Sequence, residues 1–156
     1  MPTTTEGKNQ EFETALRNVI KTLDDSQKGM AEIGERLKDA ELKRFFLAES
    51  LKRANFRGEL ENELHRHGIA DIDESGTMTG ALYRAWAGMK ARLGGADHSL
   101  VSTAEEADEE TLQAYKDALD QEIPVPVRQL LVEQQTQILS ARDFMRESRK
   151  EYKKAS

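Results

Sequence analysis

Apolar residues recur along this chain in steps of three and four, the spacing that keeps side chains on one face of a helix. The first stripe is Phe12, Leu16, Val19, Ile20, Leu23, Met30, Ile33 and Leu37, with Gln27 inside it where an apolar residue would be expected. It predicts a helix from about residue 8 to 37, preceded by a polar stretch, 1–8, expected to be disordered. Lys38-Asp39-Ala40 reads as a tight break, with Asp39 as N-cap of a second helix. That helix carries Leu42, Phe45, Phe46, Phe56, Leu60 and Leu64, and Glu49 and Arg53 fill the gap in its stripe. It should stop near His67, with Gly68 as the C′ residue.

Residues 69–79 read as a loop, and Leu82, Ala85, Trp86, Met89 and Leu93 predict a shorter helix over about 79–93, ended by Gly94-Gly95. Asp97 can cap the next helix, about 98–121, whose stripe is Leu100, Ala104, Asp108, Thr111, Leu112, Tyr115 and Leu119. Ile123-Pro124-Val125-Pro126 breaks the chain, since proline is tolerated only in a first helical turn. The last helix carries Val127, Leu130, Leu131, Ile138, Ala141, Met145 and Tyr152, with Gln134 inside the stripe.

Short breaks make consecutive helices antiparallel neighbours, whereas one long connection between the second and third long helices makes a crossover. The expected fold is therefore all-α: an antiparallel four-helix bundle of ferritin-like layout with a short helix in the crossover. One domain is expected over 9–152, with a frayed end at 153–156. For 156 residues a core is feasible without staples.

Composition narrows the function classes. Charged residues are 33% and hydrophobic residues 37%, so long helices with narrow apolar seams suit the chain. A net charge of -6 disfavours a nucleic-acid partner. The absence of cysteine excludes disulfides, iron–sulfur clusters, thiolate zinc and cysteine nucleophiles. No apolar run reaches the ~20 residues of a membrane span. The N-terminus lacks an apolar signal core, so a cytoplasmic location is expected.

A ferritin-like bundle invites one test. A carboxylate-bridged iron or manganese pair draws Glu from two helices and Glu-x-x-His from the other two. The histidines are His65, His67 and His98, and three positions before them stand Asn62, Leu64 and Gly95. No standard di-metal site is expected, and no cofactor. The alternative is a divergent carboxylate site for iron or manganese using Glu49, Glu105 and Asp108. Against it stand Arg53 and Arg142, whose fixed charges repel a cation. The favoured reading of Gln27, Glu49, Arg53, Asp108, Gln134 and Arg142 is a buried polar layer that fixes helix register. Glu49 and Arg53, four apart with the acid first, suit a helical ion pair. Tyr83, Arg84, Trp86, Lys90 and Arg92 form a basic, aromatic group in which Trp86 is expected to pack on the bundle. No phosphate loop or nucleophile elbow is present.

Several segments together resemble a known family. They are Asp25 with Lys28-Gly29-Met30, Arg53 with Phe56 and Glu59-Leu60, Gly80-Ala81-Leu82-Tyr83-Arg84-Ala85-Trp86, Gly94-Gly95-Ala96-Asp97-His98 and Ala114-Tyr115-Lys116-Asp117-Ala118-Leu119. From about 14 to 149 the chain resembles an uncharacterised bacterial family of ferritin-like four-helix-bundle domains that carries a domain-of-unknown-function label. The resemblance implies a ferritin-like bundle with a helical crossover and no established activity. This chain departs from the family pattern at Gln27, Met30, Tyr83, Asp108 and Arg142, and those departures remove ligand types. The expectation is a non-enzymatic protein that acts by forming a homodimer or binding a protein partner, with a stress response as one setting. A small apolar ligand between the helices is a third possibility.

Overall fold

The structure is a computed structural model that describes the backbone of residues 2–69 and 96–155 and the side chains of residues 12–69 and 96–151. It contains α1 (Pro2–Arg36), α2 (Ala40–Arg66), α3 (Asp97–Leu119) and α4 (Val125–Ala155), and no strand among the described residues. The expected short helix over 79–93, with the Tyr83, Arg84, Trp86, Lys90 and Arg92 group, lies outside the described residues, as does the side chain of Tyr152.

α1 packs on α2 and α3, and α4 packs on α3 and, less extensively, on α2. Polar contacts set the directions. The backbone N–H groups of Lys38 and Asp39, in the α1–α2 turn, donate to the carboxylate of Asp97 at the start of α3, at 3.0 and 2.9 Å. Ile69, just past α2, packs against the same apolar cluster as Leu119 and Ile123, which flank the end of α3. α1 therefore runs up, α2 and α3 run down, and α4 runs up. Neighbouring helices are all antiparallel, and the stretch 70–95 connects one end of the bundle to the other.

The helix ends follow from local chemistry. Asp39 caps α2 by accepting a hydrogen bond from the Leu42 N–H at 2.9 Å. Gly68 adopts φ +77°, the left-handed conformation that costs glycine least. The Gly68 N–H then reaches the His65 carbonyl and the Ile69 N–H the Leu64 carbonyl, which gives last-turn carbonyls partners. Two expectations shift. α1 begins at Pro2 and α4 runs to Ala155, beyond the expected 9–152, because no strong helix breaker follows Pro2 and proline suits a first turn. Asp97 makes no capping hydrogen bond to α3 and lies inside its first turn; it ties α3 to the α1–α2 turn instead.

Buried positions keep an alternating three–four rhythm. On α1 they include Phe12, Leu16, Val19, Leu23, Ser26, Met30 and Ile33, with Leu37 just past its end; on α4, Val127, Leu131, Gln134, Ile138, Ala141 and Met145. A 3.5-residue period keeps one seam facing the partners along long helices. The apolar core falls into two clusters. The larger contains Phe12, Leu16, Ile20, Leu23, Phe56, Leu60, Leu64, Tyr115, Leu131 and Ile138. The smaller, at the α1–α2 turn end, contains Met30, Ile33, Leu37, Leu42, Phe46, Leu100, Val101 and Met145. Burying each large side chain contributes about 1.5–3 kcal/mol, which makes these clusters the main driving force. A layer of charged and polar side chains separates them.

Candidate functional site

That layer is built around Arg53. The 3–4 rhythm of α2 places it between Phe46 and Phe56 on the seam, where its side chain is fully buried. Its guanidinium crosses the bundle diagonal to α3. Nη1 donates to Asp108 Oδ1 at 2.6 Å and Nη2 to Asp108 Oδ2 at 3.0 Å, a two-pronged pairing that suits the planar fork of arginine. Nη1 also donates to Ser26 Oγ at 2.8 Å, and Nη2 to Glu49 Oε2 at 3.3 Å. One side chain thus links α1, α2 and α3. Its Nε has no hydrogen-bond partner.

The charges nearly cancel. Two carboxylates face one buried guanidinium, and Lys52 at the rim brings its ammonium to 3.3 Å from Glu49 Oε1. Burial opposes the charge on Arg53, but the Asp108 carboxylate beside it, with help from Glu49, holds the guanidinium above its ordinary pKa. Burial pushes Asp108 above the ordinary aspartate range, and Arg53 draws it back only in part. Acidification thus acts on this pair through Asp108, since the guanidinium already carries its proton.

A second buried polar link lies one turn toward the larger cluster. Tyr115 Oη donates to Gln134 Oε1 at 2.7 Å, and Gln134 Nε2 donates to the Phe56 carbonyl at 3.1 Å. It joins α2, α3 and α4. Burial raises the Tyr115 phenol far above its usual range, so it stays a neutral donor. A third group lies between α1 and α2, where Asp24 is buried and pairs with Arg57 and with Lys28, the latter at 2.9 Å. Its neighbour Asp25 is also buried, and its Oδ2 has no hydrogen-bond partner.

Of the residues predicted from sequence, Glu49, Arg53, Asp108 and Gln134 are buried in the bundle middle. Gln27 is not: it is half-buried, and only its backbone carbonyl takes part, accepting from Ser50 Oγ at 2.9 Å. Ser26 occupies the seam because it lies three residues after Leu23 and four before Met30. Arg142 lies at the α3–α4 surface, where it pairs with Glu109 at 2.9 Å and Asp143 at 3.3 Å. Glu105 is on that surface too, held by Arg146 at 2.9 Å and Arg149 at 2.7 Å. The sequence reasoning passed over Ser26, Asp24 and the Tyr115 hydroxyl; only Ser26 had a signal, its place in the step pattern.

The donor set does not fit an iron or manganese centre. Both oxygens of Asp108 are taken by a fixed cation, Glu49 is shared between Arg53 and Lys52, and Glu105 faces away toward α4. Among the described residues no three His, Asp or Glu side chains converge as a metal-binding group. His65, His67 and His98 are exposed and sit at opposite ends of the bundle. Among those residues, no helix is long and apolar enough to cross a membrane.

A family profile matches residues 11–121, which span most of α1, all of α2 and α3, and the connection between them. The chain belongs to the DUF2383 family, a domain of unknown function. The DUF2383 match includes Ser26, Glu49, Arg53, Asp108 and Tyr115. It stops ahead of α4, short of the residue 149 that the resemblance reached, so Gln134 lies outside it. No curated protein matches the chain.

Proposed function

We propose that this DUF2383 protein is a non-enzymatic, cytoplasmic helical scaffold of ferritin-like layout that acts by association, with a second copy of itself or with a protein partner. The observation that carries this reading is the two-pronged Arg53–Asp108 pair at the bundle middle. In a bundle with one long crossover, that position is where inward carboxylates would grip metals. Here a guanidinium takes the place a cation would need, and its charge repels one. The up-down-down-up helix order supports the ferritin-like assignment.

Two measurements on the purified chain test this. Elemental analysis after equilibration with ferrous iron or manganese should find no stoichiometric metal. Light scattering across a concentration series should show a dimer, or pull-down followed by reconstitution should yield a defined complex. Stoichiometric metal that is lost on Glu49→Ala or Asp108→Ala would replace this reading with the divergent carboxylate site. A monomer at all concentrations that captures no partner would also count against it.

A further inference from the structure

α4 is attached unequally along its length. On one side of the ionic layer it places Val127, Leu131 and Ile138 in the larger apolar cluster, with Leu130 packed against it. In the same half Gln134 is fixed between Tyr115 and the Phe56 carbonyl. On the other side it gives the smaller cluster one apolar side chain, Met145. Beyond that it buries Ser148, and its other attachments described there are partly exposed ion pairs and one ring contact. Glu109 pairs with Arg142 and Arg146, and Glu105 with Arg146 and Arg149. The Phe144 ring, 38% exposed, lies 4.2 Å from that of Phe45. The other three helices close on one another without α4 at this end, through Met30, Ile33, Leu37, Leu42, Phe46, Leu100, Val101, Ala104 and Ala107. Asp97 ties α3 to the α1–α2 turn there as well.

We infer that residues 142–151 of α4 form a strap that lifts from the other three helices as one unit, while residues 127–138 stay packed. Ala141 marks the level at which the helix bends or unwinds. Lifting uncovers the part of the smaller apolar cluster that lies under Met145. The strap is held mainly by partly exposed ion pairs, which salt screens, so its opening responds to ionic strength as the two apolar clusters do not. This inference stands apart from the scaffold reading, since a strap can open in a protein of any activity.

Hydrogen exchange of the full chain, read at single-amide resolution, tests it. Amides in 142–151 should share one opening rate, about tenfold faster than those in 127–138, as expected of a separate cooperative unit. Raising the salt concentration or making Glu105→Gln should speed the strap amides about threefold and leave α1 and α2 unchanged. Met145→Ala should act on the same amides, whereas Leu131→Ala should speed exchange throughout the bundle. Equal protection on both sides of Ala141 would overturn the inference. So would rates that climb residue by residue toward Ala155, because that is simple fraying.

Discussion

Arg53 on α2 and Asp108 on α3 face each other across the diagonal of the bundle, with both carboxylate oxygens engaged by one guanidinium and neither side chain exposed to solvent. Such a pair does not have to add net stability, because stripping water from two ions offsets much of their attraction. It does forbid any register of α2 against α3 that separates the two. The pair therefore favours one packing over its slipped neighbours, and its energetic signature appears when one partner is removed.

Arg53→Met should lower unfolding free energy in urea by about 3–5 kcal/mol, because two carboxylates are left without their buried cation. Combining it with Asp108→Leu should recover most of that loss, since a well-packed apolar pair substitutes for a buried ionic one with little penalty. A double variant as unstable as the single one would mean that Asp108 is not the main partner of Arg53.

Tyr115→Phe removes the donor that faces Gln134 Oε1 and leaves a buried amide oxygen unsatisfied. Thermal or chemical melts should show a loss of about 1–3 kcal/mol. No change would indicate that Gln134 finds another donor.

Asp25 gives a pH test. Burial raises its carboxyl above the ordinary aspartate range, which outweighs the opposing charge of Lys21. The folded state thus holds this proton more tightly than the unfolded chain, and ionised Asp25 opposes folding. Its penalty is absent below about pH 4, grows as pH rises toward the folded-state value, and stays constant above it. Asp25→Asn should therefore stabilise the protein at neutral pH but not near pH 3. A gain of equal size at both pH values would show that charge is not the cause.

Two glycines on or beside α2 should respond in opposite directions. Gly68 holds the left-handed φ of +77°, so Gly68→Ala should destabilise by about 1 kcal/mol. Gly58 lies inside the helix with open space around the position of a Cβ, so Gly58→Ala should stabilise by about 0.5–1 kcal/mol. Denaturant midpoints check both.

The helices were legible in the sequence because each seam repeats in threes and fours, and because Asp39, Gly68 and Pro124 mark breaks with a clear local cause. Burial of Glu49, Arg53, Asp108 and Gln134 was legible for the same reason, since each interrupts an apolar stripe. Pairing across the bundle was not. Nothing in the spacing on α2 or α3 says that Arg53 spans the diagonal to Asp108 while Arg142 turns outward to Glu109. Gln27 and Ser26 differ by one step, about 100° around a helix, and only strict alternation of fours and threes separates them. Asp97 resembled a cap by position, but tertiary contact with the α1–α2 turn claimed its carboxylate.

The anchoring of Asp97 at one end and of Ile69 at the other fixes the distance the intervening stretch must cover. α2, with 27 residues, is about 40 Å long at ~1.5 Å per residue. An extended chain covers that in about twelve residues. The stretch 70–95 is roughly twice as long as the span demands. Shortening it by several residues is thus compatible with the same four-helix topology.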